Sequence, residues 1–175
     1  MQDQHDPYQP PQATHTPFVP FEQVDGQLAG RWHRLGASFI DGFMMLLIML
    51  PAMWFGGYFT AVFTAAREGE RVSSGLSLGW MAVSFILFVL IQGYPLLRNG
   101  QTWGKKLVGI RIVDMDGDVP ALAPLLVKRY LVGTLIAQVP ILGALYGITD
   151  SLFVFRQDRR CIHDLIAGTQ VVTAR

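Results

Sequence analysis

Asp41 is the only charged residue between Leu35 and Ala66, in the run LGASFIDGFMMLLIMLPAMWFGGYFTAVFTAA. A carboxylate held in hydrocarbon costs roughly 2.5–3.5 kcal/mol on insertion scales, so it needs a partner or a task. The task would be to bind a proton or a cation. The bland alternative is a structural ion pair that fixes helix register. Arg34 lies seven residues earlier, nearly two helical turns, on the same face, with Ser38 between them. At 1.5 Å of rise per residue the two are roughly 10 Å apart along the axis, too far for direct contact. Asp41 must therefore meet a group from another segment, and Arg34 sits at the cytoplasmic mouth.

Near the C-terminus the run Cys161-Ile162-His163-Asp164-Leu165-Ile166-Ala167-Gly168-Thr169 holds a second carboxylate, Asp164, suited to accept bonds from Arg34 or from a lysine of the middle loop. One cysteine and scattered histidines do not supply the spacing of a tetrahedral metal site, so neither a metal nor another cofactor is expected. Cys161 and His163, near neighbours in sequence with no evident oxyanion donor, make a poor nucleophile and base. The chain does not read as an enzyme. Gly100-Gln101-Thr102-Trp103-Gly104-Lys105-Lys106 lacks the glycine spacing and the hydroxyl residue of a phosphate loop. It reads as a tight turn that holds Lys105 and Lys106 at lipid headgroups. Asp114, Asp116 and Asp118 have a misplaced glycine and no closing glutamate for a calcium loop, so they read as a surface turn. Asp150 is a weaker buried-carboxylate candidate, expected to pair with a nearby arginine.

These residues must be positioned by membrane helices. The chain has 175 residues, is 51% hydrophobic and only 15% charged, whereas a soluble domain carries about 25% charged residues. One cysteine excludes an intramolecular disulfide. Residues 1–26, rich in Pro, Gln and Thr, read as a disordered tail without the basic start and apolar core of a signal peptide. The remainder, residues 27–175, forms one membrane domain. Gln27 to Arg34 begins a helix lying at the interface, anchored by Arg31, Trp32, His33 and Arg34. Spans are expected at about residues 35–63 and 76–97, the first bent or cut short at Pro51 and Gly56-Gly57.

Topology settles the third apolar run. Basic residues cluster at Arg31 and Arg34, from Arg98 to Arg129, and at Arg156, Arg159 and Arg160. The positive-inside rule puts all three clusters in the cytoplasm, so the intervening chain must leave and return. It reads as a helical hairpin of about residues 125–138 and 141–155, turning near Pro140. Alternation in Val108 to Val113 and the run Thr169 to Thr173 predict two strands that pair into a small cytoplasmic ladder. The expected fold is thus an all-α integral membrane protein with a small cytoplasmic β element. It has two transmembrane helices and a C-terminal hairpin, or four spans if both arms cross, and both termini are cytoplasmic.

The order Arg34-x-x-Ala37-x-x-Ile40-Asp41, then GQTWGKKLVGIRIVDMDG, then HDLIAGTQVV resembles the RDD family of bacterial inner-membrane proteins. That family is named for one arginine and two aspartates, which match Arg34, Asp41 and Asp164. The likeness covers Arg31 to Val172, with Trp103 where a small residue or proline is common. It implies a multi-pass inner-membrane protein and transport of a ligand, sodium–proton exchange among the suggestions.

Two functions are consistent with these residues. In one, an oligomer of this chain moves an ion or small solute, with Asp41 as the working group and Arg34 and Asp164 as a charge network at the mouth. In the other, the same charges lock a helix bundle in a non-transporting accessory or assembly protein. The lipid bilayer is the expected partner. Nucleic acid is not, because the basic residues track the membrane edge.

Overall fold

The computed structural model describes residues 27–139 and 141–174. Residues 1–26, Arg175 and Pro140, near which the hairpin is expected to turn, lie outside the described residues. Helix α1 spans Arg31–Phe55 and α3 spans Ser74–Asn99. Their most apolar 18-residue windows have mean hydropathies of 1.8 and 2.1, yet only 6% and 0% of those windows is buried. A core helix of a soluble protein would bury such a face. Here Phe39, Phe43, Leu47, Ile86 and Leu90 point outward, as lipid-facing side chains do.

Helix α1 ends at Phe55, where Gly56 and Gly57 break the backbone, rather than running to residue 63. The short helix α2 (Tyr58–Glu68) follows, and Trp80 of α3 packs over Gly56 so closely that a Cβ there would meet its ring at 2.6 Å. Ser73 caps α3, its hydroxyl accepting from the Leu76 amide.

Below the helices, residues that the sequence reading assigns to a loop build a compact platform. Helix α4 (Trp103–Val108) leads into strand β1 (Ile110–Asp114), which pairs antiparallel with β2 (Thr169–Thr173), Ile112 opposite Val171. The predicted ladder is therefore present. It gains a third partner, because Gln27 to Ala29 run along the other edge of β2, with the Ala29 amide donating to the Val171 carbonyl at 3.0 Å. Gln27 to Gly30 are thus extended and not the start of an interfacial helix, which begins at Arg31. Gly100, which ends α3 at φ 64°, has no room for a side chain: a Cβ would lie 2.3 Å from the Ile112 carbonyl. The Asp114 carboxylate caps the following turn by accepting from the Asp116 and Asp118 amides, so this acidic stretch is a surface turn.

The hairpin is present as well. Its first arm runs through α5 (Leu122–Leu125), a π-helical turn (Leu126–Leu131) and α6 (Val132–Ala137). The second is α7 (Leu142–Leu152), closed by a 3-10 turn at Phe153–Phe155. The last helix, α8 (Ile162–Ala167), delivers the chain to β2. Ala29, Ala37, Leu96, Ile110, Ile112, Leu125 and Val171 form the buried core. It joins the platform to the platform-side ends of α1 and α3, which contribute Ala37 and Leu96.

Candidate functional site

Two carboxylates organise the buried polar groups, and each draws on distant parts of the chain. Asp164 occupies the third position of α8. Its Oδ2 reaches back to the Cys161 amide at 3.0 Å, the geometry of a capping box. Arg34, in the first turn of α1, bonds the same oxygen, while Arg129 from the π-helical turn bonds Oδ1. The wider π turn leaves Lys128 exposed and buries Arg129. Arg129 also donates to Thr169 Oγ1 at 2.6 Å, and that hydroxyl lies 3.4 Å from Asp164 Oδ1.

Asp164 is 0% exposed, Arg129 4% and Arg34 7%, so this charged triad is taken out of water. Burial pushes the Asp164 carboxyl up, but the Arg129 and Arg34 guanidiniums outweigh it and hold it well below the usual carboxylate range. Arg34 completes its own bonding through the Arg159 carbonyl and, at 3.5 Å, the Cys161 sulfur.

Asp41 has a different set of partners. Gln92 of α3 donates to its Oδ1 at 3.0 Å, the Gly104 amide donates to the same oxygen at 2.7 Å, and the Thr102 hydroxyl bonds Oδ2. The Lys105 ammonium stands 3.9 Å from Oδ2. Gln92 is itself oriented, its Oε1 accepting from the Trp103 amide at 2.8 Å. Thr102 caps α4 and Gly104 lies in its first turn, so the carboxylate of α1 sits over the amino end of α4. Gly104 permits the approach: a Cβ there would lie 2.4 Å from the Ala37 carbonyl and 2.8 Å from Asp41 Cγ.

The GQTWGKK segment is therefore a docking element for Asp41, not a headgroup turn. It fails to read as a helix because six residues are too few for a hydrophobic period. Lys105 points inward, and burial lowers its ammonium to about 8, Arg129's charge adding to the effect. Lys106 faces outward and lies over the Trp103 ring at 5.1 Å.

Arg34 and Asp41 share a face of α1 but bond to different centres. Beside Arg34 lies a cavity of about 80 Å³, bordered also by Ser38, Lys105 and Arg129. Asp150, from α7, borders it on the hairpin side. Its partner is not an arginine: it bonds His163, with 2.7 Å to Nδ1 and 3.0 Å to the backbone amide. Burial lowers the His163 imidazolium and raises the Cys161 thiol to about 11, opposite to what a nucleophilic cysteine requires. Gln92, Thr102, Gly104 and Arg129 escape the sequence reading of the site. Gln92 had a signal, as the one side-chain amide in the apolar run Val72 to Leu97.

The RDD family model matches residues 28–168. The chain is 30% identical over 146 residues to "Uncharacterized protein YckC" of Bacillus subtilis (strain 168), covering 83% of this chain and 85% of that protein. It is 31% identical over 100 residues to an uncharacterized protein of Haemophilus influenzae, covering 56% of this chain and 62% of that one. No solved structure matches it.

Proposed function

This chain belongs to the RDD family, and from that premise we propose that its buried charges fasten a membrane helix assembly together. In this reading the protein is a non-transporting accessory or assembly factor of the bacterial inner membrane, with both termini in the cytoplasm and more than one copy in the assembly. The observation that carries this reading is the saturation of both carboxylates. Asp164 accepts from two guanidiniums and a backbone amide. Asp41 accepts from three donors and faces an ammonium. A moving ion would have to displace several charge-assisted bonds, each worth about 1.5–3 kcal/mol, to reach either group.

A second reading has one observation in its favour. Lys105 loses its proton at about 8, beside Asp41 and against a small cavity, which is a workable arrangement for exchanging a proton with an ion or small solute. One experiment separates the two. Wild type and Asp41→Asn are reconstituted in proteoliposomes under an imposed proton or sodium gradient, and the cellular abundance and co-purifying partners of each are measured in parallel. The structural reading expects equal flux, lower abundance of the variant and loss of a stoichiometric partner. Flux in the wild type that disappears in a folded, inserted variant would overturn it.

A further inference from the structure

Asp150 of α7 meets the side chains of Cys161 and His163 at the start of α8, beside the Asp164 centre. Each offers one ligand atom (a carboxylate oxygen, Sγ, a ring nitrogen), and the three lie within 4.8 Å of one another. We propose that they form a binding site for a thiophilic divalent transition-metal ion of the zinc class.

The geometry is close to what such an ion needs. With bonds of about 2.3 Å to sulfur and about 2.0–2.2 Å to nitrogen and oxygen, ligand atoms around a tetrahedral ion stand roughly 3.3–3.6 Å apart. The Asp150–His163 pair, at 2.7 Å, has to open by about 0.6–0.9 Å and the widest pair to close by no more than about 1.5 Å, both within reach of side-chain rotation. The frame is already fixed, because the His163 amide and ring both hold the Asp150 carboxylate, tying α7 to α8.

The donor chemistry selects the ion. A thiolate, an imidazole and one carboxylate favour zinc-class ions over sodium, magnesium or calcium, which prefer all-oxygen sites. Charge balances too, since one thiolate and one carboxylate neutralise a divalent cation. On binding, the Cys161 thiol releases one proton to solvent and the sulfur's electron pair forms the bond to the metal. The His163 ring stays neutral, keeping its remaining proton on the other nitrogen. Arg34, 3.5 Å from Sγ, donates to the thiolate from outside the coordination shell. All three residues line the 80 Å³ cavity, which has room for a water ligand and is also bordered by Ser38 and Ser151.

The test is cobalt(II) titration of the purified full-length protein in detergent, with any affinity tag removed. The expected result is one ion per chain, with tetrahedral visible bands and a near-ultraviolet sulfur-to-cobalt charge-transfer band, both bleached by zinc. Cys161→Ser should lose the charge-transfer band, and Asp150→Asn should weaken cobalt binding by more than about tenfold. Zinc should raise the melting temperature of the wild type and not that of either variant. Both variants are compared only as monodisperse, wild-type-sized species. If one of them does not fold, the other carries the comparison. No saturable cobalt binding by the wild type, or binding unchanged in the folded variants, overturns the proposal.

Discussion

A single methyl group tests whether α4 is docked on α1 as described. Gly104→Ala places a Cβ 2.4 Å from the Ala37 carbonyl and 2.8 Å from Asp41 Cγ. Neither neighbour is the free end of a flexible side chain, since one is helix backbone and the other is held by three donors. Gly104 lies in α4 with a negative φ, so alanine is tolerated by the backbone and the whole cost comes from the contact. Relief requires α4 to withdraw by about 1 Å, which stretches the 2.7 Å bond from the Gly104 amide to Asp41 beyond the hydrogen-bond range. Overpacking costs about 1–3 kcal/mol and a lost bond to a charged acceptor about 1.5–3 kcal/mol. A loss of about 3–4 kcal/mol corresponds to roughly 6–16 °C in melting temperature for a chain of this size. The assay is thermal unfolding in detergent, with Gly36→Ala as control. Gly36 also lies in a helix but has nothing within 4 Å of its would-be Cβ, so alanine there should be neutral or stabilising by about 0.5–1 kcal/mol. Equal melting temperatures for the two variants would refute the docked geometry.

Other expectations follow from the same contacts. Asp164→Asn strands two buried guanidiniums and should cost about 3–5 kcal/mol, read as a lower denaturation midpoint, with Arg34→Leu adding less than it costs alone. Lys105 titrates at about 8 when folded against 10.5 as the reference, so between those values the unfolded chain binds the extra proton and stability rises with pH. The difference in unfolding midpoint between wild type and Lys105→Met, followed from pH 7.5 to pH 10, should show that rise in the wild type only. The metal-free Cys161 thiol, raised to about 11 from 9.0, should react with a maleimide roughly a hundredfold more slowly than an unperturbed thiol at neutral pH. Denaturant should remove the difference.

How far the sequence reaches depends on the length of the signal. Alternation over Ile110 to Asp114 and Thr169 to Thr173 made the ladder legible, because a two-residue period shows within five residues. The two long apolar helices were equally plain. The cost of a carboxylate in hydrocarbon means that Asp41 needs a partner from elsewhere, and Gln92 stands out as the one amide in its apolar run, but nothing in the chain singles out Thr102 and Gly104. Arg129 reads in the sequence as a topology signal, since headgroups explain any cation near a membrane edge. A π-helical turn that swings it inward has no composition of its own. Gln27 to Gly30 misled for a related reason: polar and basic residues at a membrane border suit an interfacial helix, and the edge of β2 that claims them forms 140 residues later in the chain.

That last pairing sets an order of events during synthesis. Arg34 emerges 130 residues before Asp164, and Gln27 emerges 146 before Thr173. Until the final strand is released, the nascent chain holds an uncompensated guanidinium and an open strand edge at the membrane surface. The closing of β2 against both the start and the middle of the chain therefore waits until α8 and β2 have been synthesised. A chain truncated before α8 would leave Arg34 without its Asp164 partner and Gln27 to Ala29 without a strand to pair with.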